Sequence, residues 1–189
     1  MLTSKGQTRR DEILKVAREA LSESGYDGVS LRDIANRLDI KLGNLQYYFA
    51  TREDLFVALI KREGEQDVET VRSHLAAHED PRDAFDCIAL DLLRRWRGES
   101  AVVYLLMQVL RAHRPAFEEL CKSIYQQHYE ALSSLILQMR PDLGEADAIR
   151  KAHLVTALLD GALLQMVSPT SKDSFTKDVV NEARLLIYK

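Results

Sequence analysis

At three candidate helix starts near its beginning the chain places a hydroxyl side chain three positions before an aspartate: Thr8 with Asp11, Ser30 with Asp33, and Thr51 with Asp54. At this spacing the hydroxyl can accept from the third backbone N–H of a helix while the carboxylate reaches back to the hydroxyl residue's own N–H, so each pair predicts a helix start. The segments between these starts are short. A first helix beginning near Thr8 buries Ile13, Leu14, Ala17, Ala20 and Leu21 on one face, and Gly25 supplies its left-handed stop. A second begins at Ser30 and carries Leu31, Ile34, Ala35 and Leu38 over about two turns. "DIK" breaks the pattern, "LGNLQYYF" forms a third helix of similar length, and Thr51 opens a fourth.

Beyond these starts, only 8 Gly and 4 Pro interrupt the sequence, and apolar residues recur three and four apart almost everywhere. That period predicts an all-α chain without strands. The fourth helix continues through "LFVALIKREGEQDVETVRSHLAAH", with Gly64 as a candidate bend. Prolines separate further helices at about 81–97, 100–112, 115–139 and 145–167, and a last helix covers about 172–188, making about nine in all. With 46% hydrophobic and 29% charged residues the composition is that of a soluble globular protein. The longest apolar runs fall short of the roughly 18 residues that span a bilayer, and "MLTSKGQTRRDE" lacks the apolar stretch of a secretory signal. A cytoplasmic location with no membrane partner is expected, with Cys87 and Cys121 as reduced, buried thiols. The net charge of −3 does not by itself point to nucleic acid: residues 1–64 hold 11 Lys and Arg against 10 Asp and Glu.

Two helices of about two turns, joined by a turn of three to four residues, make a helix-turn-helix, in which the second helix enters the DNA major groove. Ile34, Ala35, Leu38, Ile40, Leu45 and Phe49 are placed to pack inward, which leaves Lys41, Leu42, Asn44, Gln46, Tyr47 and Tyr48 to be divided among groove, backbone and neighbours. Here the chain resembles the TetR family of bacterial transcriptional regulators, whose helix-turn-helix ends in a stretch like G-x-L-Y-x-[HY]-F before a capped fourth helix. The matching residues are Gly43, Leu45, Tyr47, Tyr48 and Phe49, followed by "ATREDL" with Arg52 and Glu53, and the likeness covers residues 8–62. Lys41 and Gln46 depart from the Ser or Thr and the Tyr frequent in that family, so no operator sequence transfers. The expected organisation is a helix-turn-helix domain over 1–50, connected through the fourth helix to a helical effector-binding and dimerisation domain over 51–189.

Chemistry suggests the roles. Gln46 and Asn44 can pair with an adenine edge, Leu42 can touch a thymine methyl, and Lys41 can reach a guanine or a phosphate. Tyr47 and Tyr48 offer hydroxyls to phosphates, with Tyr48 alternatively packing under the helix. Ser30, Arg32, Thr51, Arg52, Arg9 and Arg10 lie near helix starts, where backbone N–H groups favour anions. Gly43 either weakens its helix or lets it approach the DNA backbone closely.

One helix-turn-helix reads few base pairs, so a homodimer on a palindromic, double-stranded operator is expected. "AHLVTALLDGALLQMV" is apolar nearly all round and supplies Leu154, Ala157, Leu158, Gly161 and Leu164 to the interface, joined by Phe175, Val179, Ala183 and Leu186 of the last helix. Asp160 falls in the middle of that stretch. A small-molecule pocket is expected among Trp96, Tyr104, Met107, Cys121, Tyr125, His128 and Met166, and the resemblance implies that an effector bound there weakens operator affinity. "RRWR" at 94–97 reads as cations at a helix C-terminus. His74 and His78 sit one helical turn apart, but no third ligand is identifiable, and they read as exposed helix-end histidines. No catalytic residue, metal or cofactor is expected, and no nucleophile elbow or acid pair stands out. The function expected is a ligand-released transcriptional repressor. The alternatives are an effector-independent helix-turn-helix protein and an all-helical metal-dependent enzyme.

Overall fold

The computed structural model describes residues 4–166 and 173–189, which form nine α-helices and no strand. They are α1 (Ser4–Ser24), α2 (Leu31–Arg37), α3 (Leu42–Gln46), α4 (Arg52–Ala77), α5 (Pro81–Arg95), α6 (Glu99–Arg111), α7 (Pro115–Met139), α8 (Glu145–Met166) and α9 (Asp173–Tyr188). Expected ends at 167 and 172 lie outside the described residues. None of the described helices is long and apolar enough to cross a membrane.

Two of the three expected capping boxes form. Ser30 accepts from the Asp33 N–H at 3.2 Å while its own N–H donates to Asp33 Oδ2 at 3.0 Å, and Thr51 and Asp54 repeat the arrangement at 3.1 and 3.0 Å. Thr8 is no cap. α1 is already helical from Ser4, and the Thr8 hydroxyl donates back to the Ser4 carbonyl at 3.1 Å, a use of the side chain within a helix that spacing alone cannot distinguish from a start.

The turn between α2 and α3 is closed by backbone. Asp39 adopts a left-handed φ of 51°, its N–H donates to Asn36 O at 3.1 Å, and the Ile40 N–H reaches Ala35 O at 3.0 Å. This is a Schellman ending, with aspartate where glycine is usual. Gly25, at φ +67°, ends α1 as expected. α3 is shorter than "LGNLQYYF", spanning five residues before Tyr47 caps it. So short a helix is held by tertiary contacts and not by its own hydrogen bonds. Leu45 and Phe49 supply them, buried in one core with Ile13, Ala17, Leu21, Ile34, Leu55 and Phe56, with Leu38 and Ile40 half-buried at its edge.

α4 links this N-terminal unit to the rest: it packs on α1 and on α5, α6 and α7. It runs unbroken through Gly64, which is buried where an added Cβ would meet Ile124 of α7 at 3.6 Å, so this glycine marks a helix crossing. Pro81 and Pro115 occupy first-turn positions of α5 and α7, where the missing N–H costs no hydrogen bond. α8 packs between α7 and α9. Cys121 is buried, as expected, but Cys87 is only half-buried.

Candidate functional site

The α2–α3 unit turns its polar side chains outward. Ser30, Arg32, Lys41, Asn44, Gln46 and Thr51 are exposed, Tyr47 is 75% exposed, and Leu42 is half-buried. Anchored by Leu45, the short helix displays Lys41, Asn44, Gln46 and Tyr47 together with the exposed N-termini of α2 and α4 on either side. Tyr48 has the other orientation: it is half-buried against the core and meets Tyr47 edge-on, with ring centroids 5.2 Å apart. An added Cβ at Gly43 would meet nothing within 4 Å, so the protein itself does not require glycine there. The Asp33 carboxyl is held below the usual carboxylate range by hydrogen bonds from Ser30, which keeps the α2 cap ionised.

The arginines divide differently from expectation. Arg52 turns back into the protein: it donates to the Tyr26 carbonyl at 2.5 Å, its guanidinium lies 3.8 Å from the Tyr26 ring centroid, and it approaches Asp27 at 3.7 Å. Arg52 therefore staples the α1–α2 turn to α4 instead of standing free for phosphate. Arg9 pairs with Glu12 at 2.5 Å, and Arg10 lies over Phe49 at 5.3 Å. Both are half-buried at the edge of the unit.

On the far side of α4, two carboxylates enter the interior. Glu63 and Asp67 are each 1% exposed. Arg18 of α1 and Arg95 of α5 both donate to Glu63 at 3.1 Å, and Ser100 donates to it at 2.9 Å. Arg95 also donates to Asp67 at 3.0 Å, Trp96 Nε1 donates at 3.2 Å, and the Tyr104 hydroxyl completes the set. Burial raises the Asp67 carboxyl above its usual range, opposed by these donors. Sequence gave no role to this pair, although Glu63 and Asp67 fall on the stripe carrying Phe56, Leu59 and Ile60, where a charge needs a buried partner. Arg95 was expected only to complement a helix C-terminus; its guanidinium instead closes the buried network.

That network borders a cavity of about 130 Å³ enclosed by α4 to α8. Its volume approaches that of engineered apolar cavities of about 150 Å³ that admit benzene. Trp96, Tyr104, Met107, Tyr125 and His128 line it, as do Asp67 and Asp160, while the remaining wall is largely aliphatic. Cys121 faces elsewhere: it accepts from Arg111 at 3.3 Å and lines a wider, open groove of about 1060 Å³. The Met166 side chain lies outside what is described. Between cavity and groove, Tyr125 donates to Asp160 at 2.5 Å and accepts from Gln108 at 2.7 Å. Burial raises the Asp160 carboxyl and lowers the His128 imidazole, which Asp67 and Asp160 act to raise. Asp160 thus stands in the wall between the cavity and the groove that Ala157, Gly161 and Leu164 also line.

The outer face of α8 carries Leu154 at 46% and Leu164 at 62% exposure, with Ala157 exposed and Leu158 and Gly161 half-buried. On α9, Phe175 and Leu186 are half-buried, but Val179 and Ala183 are interior, at 6% and 0% exposure. They face this subunit's own helices and cannot meet a second copy. The apolar large side chain that α9 exposes is Leu185, at 46%.

Comparison with known proteins follows this division. Residues 13–59 match the family model described as bacterial regulatory proteins, tetR family. An uncharacterized HTH-type transcriptional regulator from the dhlA 5' region of Xanthobacter autotrophicus is 25% identical over 159 residues, 81% of this chain and 70% of that protein. The HTH-type transcriptional repressor KstR of Mycolicibacterium smegmatis is 38% identical over 69 residues, 36% of this chain and 34% of that protein. A transcriptional regulator from Rhodococcus sp. Rha1 has the same fold, with a TM-score of 0.81 at 21% identity, covering 94% of this chain and 95% of its own.

Proposed function

We infer that this chain, a transcriptional regulator of the tetR family, represses transcription by binding a palindromic operator as a homodimer, and that a small molecule in the α4–α8 cavity releases it. The observation that carries this reading is the outward display of Lys41, Asn44, Gln46 and Tyr47 from a helix too short to stand without its core anchors Leu45 and Phe49. Asn44 and Gln46 read base edges, Lys41 reaches a guanine or a phosphate, and Leu42 meets a thymine methyl. Tyr47, with the capped N-termini at Ser30 and Thr51 and the exposed Arg32, positions the unit on phosphates. Arg52, Tyr48 and Arg10 support the unit from within.

The division of labour is a DNA-reading unit through residue 50 and a helical body from residue 51, with α4 shared between them. The effector fitting the cavity is small and mostly apolar, with a polar group for Asp160, Tyr125 or His128. It acts only by preferring one arrangement of the dimer over the other. Leu154, Ala157, Leu158, Gly161 and Leu164 of α8, with Leu185 and the partly covered Phe175 and Leu186 of α9, form the dimer face. Selection of bound DNA from a random library tests the reading. Enrichment of an inverted repeat supports it, and recovery of no enriched motif defeats it.

A further inference from the structure

The histidines one turn apart at the end of α4 acquire partners that sequence spacing does not show. α5 runs back along α4 and brings Cys87 to them: one ligand atom from each of His74, His78 and Cys87 lies within 4.8 Å of the other two. All three residues are half-buried, unlike freely solvated helix-end side chains. One turn beyond Cys87, Asp91 approaches His74, with Oδ2 2.8 Å from Nε2. We propose that His74, His78 and Cys87 bind a divalent transition-metal ion of the zinc class, with Asp91 orienting His74 from outside the ligand set.

The hydrogen bonds select the ligating atoms. His78 Nδ1 lies 3.0 Å from the His74 carbonyl oxygen, so Nδ1 carries the proton and Nε2 keeps its lone pair. That Nε2 lies 3.5 Å from Cys87 Sγ. Two ligands at about 2.0 and 2.3 Å from one tetrahedral ion are separated by roughly 3.5 Å, so the pair already stands at a coordination edge. His74 donates from Nε2 to Asp91, which leaves Nδ1 as its free lone pair and reproduces the carboxylate–histidine–metal arrangement that raises ligand basicity. Imidazole and thiolate select zinc or cobalt over the oxygen-seeking calcium and magnesium. Binding forms two N–metal bonds and one S–metal bond, the Cys87 thiol proton leaves to solvent, and water fills the fourth position. The ion pins the C-terminal end of α4 to α5, remote in sequence from the DNA-reading unit.

The full chain, reduced and stripped with a chelator, is titrated with Co²⁺. The expected result is saturation at one equivalent, with a thiolate-to-cobalt charge-transfer band and the intense visible bands of a low-symmetry tetrahedral site, both removed by Zn²⁺. Cys87→Ser abolishes the charge-transfer band, whereas Cys121→Ser retains it. Asp91→Asn keeps the band but weakens binding about 10- to 100-fold. Circular dichroism checks that each variant is folded; if Cys87→Ser is not, loss of the tetrahedral bands in His78→Gln carries the same decision. Absence of the charge-transfer band from the unmodified chain, its survival in folded Cys87→Ser, or survival of the tetrahedral bands in folded His78→Gln overturns the site.

Discussion

The polar residues proposed to meet DNA differ in what they contact within the chain, and substitution separates their roles. Gln46 is exposed, so Gln46→Ala should leave stability nearly unchanged and relax preference at one base pair by about 1–3 kcal/mol. Binding measured against a panel of single-base operator variants checks this, and a uniform loss across the panel would remove Gln46 from base readout. Arg52 looks equivalent in "ATREDL", yet its guanidinium spans the Tyr26 carbonyl and ring. Arg52→Ala should therefore destabilise the protein by about 1–3 kcal/mol in denaturant titrations, while the dependence of DNA affinity on salt stays as it was. A salt slope lowered by about one phosphate contact would return Arg52 to the DNA surface. The sequence marks both residues as polar groups near helix starts. Whether such a side chain reaches outward or folds back depends on a carbonyl 26 positions away, which no local pattern encodes.

At the scale of elements, the capped starts at Ser30 and Thr51 and the proline-led starts of α5 and α7 were legible because the signals are local: a few side chains bonding to backbone within one turn. The network joining α1, α4, α5 and α6 was not, because it is made of pairs 28 to 45 residues apart. It ties the reading unit, through Arg18, to Asp67 on the cavity wall. Glu63→Leu leaves Arg18 without its Glu63 partner and removes one of the two carboxylates facing Arg95, and should cost about 3–5 kcal/mol. Chemical denaturation measures this, and a cost below about 1 kcal/mol would show that the arginines find solvent. The same cavity predicts a pH effect. His128 is held below its ordinary value of 6.5, so the folded chain resists a proton that the unfolded chain accepts. Its contribution is present above that pH and lost as pH falls through the folded value. Asp67 and Asp160 have raised values and the opposite sign: their contributions are present below the ordinary 3.8 and lost as pH rises through the folded values. Replacing His128 by Gln should therefore reduce the stability lost on acidification from neutral pH towards 5, as measured by denaturant midpoints. An unchanged acid loss would exclude His128 as its source.

For the whole molecule the question is what covers the outer face of α8. An apolar period tells which positions are buried but not against what, which is why Val179 and Ala183, read as an intersubunit surface, belong to the subunit's own core. On α8 the pattern is apolar on both sides. Ala152, Val155, Leu159 and Ala162 face inward, while Leu154, Ala157 and Leu164 face out. Leucines exposed on one face of a long helix point to a partner surface. The two small residues between them, Ala157 and Gly161, let another helix approach closely, and an added Cβ at Gly161 meets nothing within 4 Å in the single chain. In a two-fold dimer each α8 meets its own copy, so one substitution acts twice. Asp160→Lys is a poor probe, because that side chain points to Tyr125 and the cavity wall. Ala157→Arg is a better one: it adds bulk and a like charge from both subunits while leaving the interior of each unaltered. The expected outcome in sedimentation is a shift from dimer to folded monomer. Operator binding falls with it, because two half-sites about one helical turn apart require both reading units at once. A variant that stays dimeric would move the interface away from α8, and a monomer that keeps full affinity for a palindrome would sever dimerisation from recognition.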